Sequence, residues 1–205
     1  MDLKSPPDLE SHDLTALVGS RICHDLISPL GAIGNGVELL MMSGATPGPE
    51  IALICQSVRS ANARIRLFRV AFGSCAVGQF IGRVEVLGIL DDMTSGSRLE
   101  IDWQGPADLK RAEVKLGFLA LLCCETAMPY GGQIAVSVSA EGWLIEATAE
   151  RFKIDSALWV RLAGQRSSLT LAAAHVQFAL FADEARRQGR IPRISLGEAR
   201  IDLRL

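Results

Sequence analysis

The stretch Pro49–Phe72, PEIALICQSVRSANARIRLFRVAF, decides the fold of the first part of this chain. Its apolar residues are separated alternately by three and four positions, which is the spacing of a helix face that packs against another helix. This set comprises Ile51, Ile54, Val58, Ala61, Ile65, Phe68 and Phe72. Pro49 suits the first turn of such a helix, where its missing N–H is not needed. The stretch therefore predicts an amphipathic helix that requires helical partners.

The preceding segment supplies one partner. A long helix is predicted from Leu9 to Met42, and it carries apolar residues at matching spacings, namely Leu26, Leu30, Ile33, Val37 and Leu40. The loop Ser43–Gly48 is short, so the two helices form an antiparallel hairpin. Because two helices cannot cover their apolar residues on all sides, we expect a homodimer in which two hairpins form a four-helix bundle.

After Gly73 the pattern becomes a mixture of helices and strands. Helices are predicted over Arg83–Met93, Leu109–Met128, Ser156–Leu162 and Leu169–Gln188. Strands are predicted over Leu99–Trp103, Gln133–Ser139 and Trp143–Ala149, followed by a closing hairpin of Ile191–Ser195 and Ala199–Leu205. The predicted fold class is therefore α + α/β, with a helical-hairpin domain over residues 1–75 and a two-layer α/β sandwich over residues 76–205.

Composition limits the classes of function. The formal charge of −2 gives no electrostatic reason to expect nucleic acid or an anionic membrane as a partner. The five cysteines contain no CxxC pair, which favours free thiols in a reducing compartment over disulfides or a metal site. There is no apolar run of the ~18 residues that a membrane span needs and no secretory signal at the N-terminus, so we expect a cytoplasmic protein.

The candidate site is His24 on the first helix. At about 100° per residue, His24 lies roughly 160° from Leu26 and therefore points away from the apolar face, towards solvent. A neutral imidazole, whose ordinary pKa is about 6.5, is a competent nucleophile near pH 7. Asp25 is placed to orient the ring or to take its proton. The alternative is that His24 is a solvent-exposed histidine without a role.

Five further residues share the helix face of His24 and are candidates for contact with a partner protein. They are Arg21, Ile27, Ser28, Gly31 and Asn35. Pro29 removes one hydrogen bond of the helix, because it has no N–H to donate to the carbonyl of Asp25.

The segment His24-Asp25-Leu26-Ile27-Ser28-Pro29-Leu30, followed by Ile33, resembles the H-box of sensor histidine kinases, H-[ED]-L-x-[ST]-P-L-x-x-I. In that motif the histidine carries the phosphoryl group. Most of residues 76–205 resembles the ATP-binding domain of the same kinases, with Leu116–Pro129 and Gly131-Gly132 in place of its N-box helix and the turn after it. The resemblance implies a phosphorylated His24.

The ATP-binding motifs themselves are altered. Cys123 stands where the resemblance would place a metal-binding asparagine, and Leu119 stands at the other polar position. Thr148–Phe152 contains no DxGxG, and Ser168–Leu171 replaces GLGL. These changes remove ligands for Mg²⁺ and adenine and the glycines that approach phosphates. We therefore expect a degenerate domain without a nucleotide site.

An H-box hairpin joined to such a domain resembles the ChpT family of histidine phosphotransferases. The resemblance implies a two-component phosphorelay in which His24 accepts phosphate from the receiver domain of a hybrid histidine kinase and passes it to receivers of response regulators. The receiver would supply Mg²⁺, so no cofactor or metal is expected in this chain. Two alternatives stay open: a non-catalytic scaffold that binds receivers, and, less favoured, an ATP-dependent histidine kinase.

Overall fold

The computed structural model describes residues 10–43, 48–139, 142–164 and 170–205 of the chain. The chain divides into two compact units, Met1–Ala76 and Val77–Leu205; the sequence analysis placed this division after residue 75. The middle of the predicted loop Ser43–Gly48 lies outside the described residues, as do Ala140 and Glu141 of a predicted turn and the pair Ser168-Leu169.

The first unit is the predicted helical hairpin. Helix α1 spans Glu10–Met42 and helix α2 spans Pro49–Ala71, with Pro49 in its first turn. Gly34 lies against Val58, whereas Gly19 lies against Phe72 at the other end of α2. The two helices are therefore antiparallel, as predicted. The amide of Phe72 donates to the carbonyl of Phe68 at 2.8 Å and closes the last turn of α2.

The apolar surface of the hairpin is wider than the contact between its two helices. Cys23 and Val37 of α1 and Val58, Ile65 and Leu67 of α2 are buried. In contrast, Leu26, Ile33 and Leu40 are 46%, 50% and 55% exposed. The sequence analysis grouped Val37 with these three residues, but the structure separates it from them. A second apolar stripe thus follows α1 beside the hairpin contact.

The second unit contains four helices and seven strands within its described residues. The helices are α3 (Arg83–Thr94), α4 (Arg111–Ala127), α5 (Ser156–Leu162) and α6 (Val176–Arg187). The strands are β1 (Phe80–Gly82), β2 (Leu99–Gln104), β3 (Asp108–Lys110), β4 (Gly132–Ser139), β5 (Gly142–Thr148), β6 (Arg193–Leu196) and β7 (Arg200–Arg204).

A five-stranded sheet has the order β2-β4-β5-β7-β6, and β1 and β3 form a separate two-stranded sheet. Strand β2 is parallel to β4, and the crossover through α4 is long enough to allow this direction. The remaining pairs of the large sheet are antiparallel. Side chains alternate along the strands, so that Ile134 and Val136 of β4 are buried whereas Gln133 is exposed. These features give the predicted α/β sandwich.

The core of the second unit is built around α4. Trp103 of β2 meets Phe118 and Trp143 edge to face, with ring centroids 5.8 and 5.4 Å away. A Cβ at Gly117 would lie 2.6 Å from the Trp143 ring and 2.8 Å from the Trp103 ring. Glycine at position 117 therefore allows α4 to pack closely on two tryptophans.

Three predicted boundaries were wrong. The helix predicted from Leu109 begins at Arg111, because Asp108–Lys110 pairs with Phe80–Gly82 as a strand. The helix predicted from Leu169 begins at Val176, after a short 3-10 turn at Ala173–His175. The closing hairpin was correctly predicted, but its paired strands are the shorter β6 and β7.

Candidate functional site

His24 lies near the middle of α1, and its ring is exposed to solvent. Its side chain is 80% exposed, whereas that of its neighbour Cys23 is buried. Helical geometry explains this difference, because successive residues lie about 100° apart. The orientation predicted from the sequence is therefore confirmed. A chemical role for the ring is a separate question.

Asp25 contacts His24 and Arg21 with different carboxylate oxygens. Its Oδ1 lies 3.1 Å from Nδ1 of His24. Its Oδ2 accepts a hydrogen bond of 2.8 Å from Nε of Arg21, one helical turn earlier. The structure thus brings together three of the predicted site residues: Arg21, His24 and Asp25.

These contacts determine which nitrogen of His24 carries hydrogen. The hydrogen bond from His24 is the largest cause that lowers the pKa of the Asp25 carboxyl below its ordinary value, and Arg21 lowers it further. Asp25 is therefore ionised near neutral pH and can only accept hydrogen bonds. Nδ1 of His24 must be the donor, so in a neutral ring Nε2 carries the free lone pair. An exposed imidazole in this form is a nucleophile at Nε2.

The other predicted contact residues follow the same face of α1 towards its C-terminus. Ile27 and Gly31 are half-buried, and Ser28 and Asn35 are exposed. Nothing described lies within 4 Å of a Cβ built at Gly31, so the packing of the hairpin does not require glycine there. Helix α1 continues through Pro29 to Met42. These residues form a stripe beside His24 that is open to an approaching surface.

The positions that were compared with the ATP-binding motifs of histidine kinases lie in the second unit. Leu119 and Cys123 of α4 are fully buried. Burial raises the pKa of the Cys123 thiol and raises that of Cys124 to about 12. Both thiols are therefore neutral and packed in the core. Ser168 and Leu169 lie outside the described residues, so the segment that replaces GLGL is only partly described.

The second unit contains a cleft of about 570 Å³ that was not predicted from the sequence. The residues that line it are Arg98, Tyr130, Gly131, Gly132, Glu150 and Arg151. The guanidinium of Arg151 lies 6.0 Å from the centre of the Tyr130 ring. Gly131 and Gly132 have φ values of +91° and +141°, which favour glycine. This glycine pair was the only signal in the sequence, and it indicated a turn.

The described ranges contain neither a metal-binding cluster nor a membrane-spanning helix. Histidine, cysteine, aspartate and glutamate side chains do not gather there in groups of three or more that could hold a metal ion. None of the described helices combines the length and the apolar character needed to cross a bilayer.

The chain resembles known proteins along most of its length. Residues 83–200 match the family model described as the histidine phosphotransferase C-terminal domain. The protein phosphotransferase ChpT of Brucella abortus (strain 2308) is 41% identical over 133 residues. That alignment covers 64% of this chain and 63% of ChpT, so the match spans less than two thirds of the relative's length.

Solved structures extend the comparison to both units. A structure described as a bacterial phosphotransferase has a TM-score of 0.70 and 29% sequence identity, and the match covers 98% of this chain and 99% of the other. The histidine kinase AdeS of Acinetobacter baumannii covers 89% of this chain with a TM-score of 0.38 and 9% identity, which is too low to indicate a shared fold.

Proposed function

This chain belongs to the histidine phosphotransferase family, and from that premise we propose that it relays phosphoryl groups between receiver domains of a bacterial phosphorelay through His24. The observation that carries the proposal is the exposed His24 ring, hydrogen-bonded through Nδ1 to an ionised Asp25. The name of the Brucella relative, a protein phosphotransferase, supports the same class of reaction.

The proposed reaction is a reversible transfer between an aspartate and a histidine. The Nε2 lone pair of neutral His24 attacks the phosphorus of a receiver aspartyl phosphate. The Nε2–P bond forms, the P–O bond to the aspartate breaks, and the receiver keeps a free carboxylate. The hydrogen on Nδ1 remains in place, so the phosphorylated ring carries a positive charge beside Asp25. Attack by an aspartate of a second receiver reverses these steps.

We propose that the receiver supplies the Mg²⁺ that neutralises the transferred phosphoryl group, so that this chain needs no cofactor of its own. The receiver would dock on the stripe beside His24, against Ile27, Ser28, Gly31 and Asn35. The open space at Gly31 supports close approach of a partner at this point. Donor receivers would belong to a hybrid histidine kinase and acceptors to response regulators.

A homodimer is the second part of the proposal. Leu26, Ile33 and Leu40 form the exposed stripe on α1. Full burial of a large apolar side chain stabilises by roughly 1.5–3 kcal/mol, so burying the exposed half of each residue gains about 1 kcal/mol per residue. Two hairpins that share these stripes would form a four-helix bundle with two copies of His24 on its outside.

Transfer between purified receivers tests the proposal. A hybrid-kinase receiver labelled with ³²P is mixed with this protein and then with a response-regulator receiver. We expect label on the wild-type protein and then on the second receiver, no transfer through His24→Ala, and full transfer through His175→Ala as a matched control.

A scaffold without chemistry predicts that His24→Ala leaves the transfer unchanged. A kinase predicts label on His24 from ATP and Mg²⁺ alone, and either result would refute the proposal.

A further inference from the structure

Arg21 differs from the residues of the proposed docking stripe, because its guanidinium already donates a hydrogen bond to Asp25. Its Nε donates to Oδ2 of Asp25 at 2.8 Å, while Oδ1 of the same carboxylate faces Nδ1 of His24 at 3.1 Å. Arg21 was predicted from the sequence to contact a partner protein, because it shares the face of His24. The contacts in the structure connect Arg21 to His24 through Asp25.

The helical positions of the three residues explain how Arg21 draws the Asp25 carboxylate towards His24. With His24 at 0° around the helix axis, Asp25 lies at about 100° and Arg21 at about 60°, one turn nearer the N-terminus. Arg21 thus stands between the other two when viewed along the axis. Side chains of a helix lean towards its N-terminus, so those of His24 and Asp25 lean towards Arg21. An attraction between Arg21 and Asp25 therefore draws the carboxylate towards the imidazole.

Without this attraction, only one solvent-exposed hydrogen bond holds the Asp25 carboxylate against His24. Adjacent helical residues do not face each other, and the Asp25 carboxylate is about half exposed and free to rotate into water. The ion pair fixes one oxygen and thereby fixes the position of the second. In this arrangement His24 is the nucleophile, Asp25 orients its ring, and Arg21 orients the Asp25 carboxylate.

We propose that Arg21 is a positioning residue: by holding Oδ2 of Asp25, it keeps Oδ1 on Nδ1 of His24 and so keeps the lone pair on Nε2, the nitrogen that receives the phosphoryl group. The inference rests on the proposed function, since it names the reacting atom of that site. Arg21 itself touches neither the phosphorus nor the reacting nitrogen. Its effect passes through Asp25.

Two measurements separate positioning from docking. The first is the ¹H–¹⁵N spectrum of the His24 ring without any donor, which reports whether Nδ1 or Nε2 carries hydrogen. The second is the rate at which phosphoramidate phosphorylates His24. This small donor transfers its phosphoryl group to Nε2 as its own P–N bond breaks and ammonia leaves, and it needs no docking surface.

The variant is Arg21→Ala, and the matched control is Arg186→Ala. Arg186 pairs with Asp183 at 3.0 Å on α6, and the two arginine side chains are almost equally exposed, at 76% and 74%. In Arg21→Ala we expect a shift towards the Nε2-protonated ring and a phosphoramidate rate about two- to fivefold lower, as fits the loss of one exposed ion pair. The control should change neither.

An unchanged ring tautomer or an unchanged phosphoramidate rate in Arg21→Ala would overturn the proposal. If only transfer from a receiver slowed, Arg21 would be a docking contact. Failure of the proposed function gives a different result, because wild-type His24 would then accept label from no receiver. The tautomer measurement uses no donor and is independent of that outcome.

Discussion

The Asp25 carboxyl should titrate in a way that reflects both of its partners. Its pKa lies below the ordinary 3.8, chiefly because His24 donates a hydrogen bond and secondly because of Arg21. As the pH falls, the unfolded chain takes up this proton first, so the pairing favours the folded chain above the ordinary pKa and is lost as the pH falls through the lower folded value. We expect ¹³C titration to show a rise of this pKa both in His24→Ala and in Arg21→Ala. A wild-type midpoint at or above 3.8 would contradict the contacts.

The five cysteines should react with thiol reagents in two groups. Cys123 and Cys124 are fully buried, and burial also raises the pKa of Cys23, whereas Cys55 and Cys75 are half-buried. Because the thiolate is the reactive form, a colorimetric disulfide reagent at pH 8 should label Cys55 and Cys75 first. All five should react rapidly once the chain is unfolded. Rapid labelling of Cys123 or Cys124 in the folded protein would show that the core around α4 opens.

Single residues of the site were only partly predictable. The exposure of His24 follows from its angle to Leu26. This angle can be calculated from the sequence alone, because both residues lie on one helix. The spacing of Arg21 and Asp25 is that of a helical ion pair, so the sequence held this signal as well. The prediction of Arg21 as a docking residue did not take this spacing into account. The cleft at Arg98 and Tyr130 was missed because residues far apart in sequence form it.

At the scale of helices, two glycines of the second unit give opposite predictions. An alanine Cβ at Gly117 of α4 would meet two tryptophan rings, whereas one at Gly88 of α3 would meet nothing within 4 Å. Gly88→Ala should stabilise by up to about 1 kcal/mol through helix propensity. Gly117→Ala should destabilise by about 1–2 kcal/mol, because overpacking exceeds the same gain. Urea unfolding measures both values, and equal effects would show that the tryptophans move aside.

The elements that the sequence missed are the shortest ones. Strands β1 and β3 contain three residues each, too few for an alternating pattern to be recognised. They form because Phe80–Gly82 pairs with Asp108–Lys110, a contact across a long stretch of chain. That pairing also moves the start of α4 to Arg111. The long helices of the hairpin were predicted well because their spacing pattern repeats over several turns.

The proposed homodimer depends on the apolar stripe of α1 that Leu26, Ile33 and Leu40 form. We expect a dimer in light scattering after size-exclusion chromatography, and we expect Ile33→Glu to be monomeric, because a charge would be buried in the bundle. Val84→Glu is a suitable control, since Val84 is an exposed apolar residue of the second unit. A dimer that persists in Ile33→Glu at equal concentration would exclude this stripe as the interface.

The organisation of the whole chain was readable from the change of pattern after Gly73, where helical spacing gives way to a mixture of helices and strands. The order of the strands in the large sheet could not be read from the sequence. Parallel pairing of β2 with β4, and the position of β7 between β5 and β6, depend on contacts between distant segments. Alternation along a strand shows which side chains are buried, but it does not show which strand is the neighbour.

The burial of Leu119 and Cys123 limits the side chains that these two positions can accept. Both side chains are packed in the core of the second unit, where an asparagine would leave an amide without hydrogen-bonding partners at a cost of about 1–3 kcal/mol. A single mutation to a polar residue at either position would thus weaken the protein. Variants that fold are therefore expected to keep apolar residues here, and a polar pair at these positions would require further changes in the surrounding core.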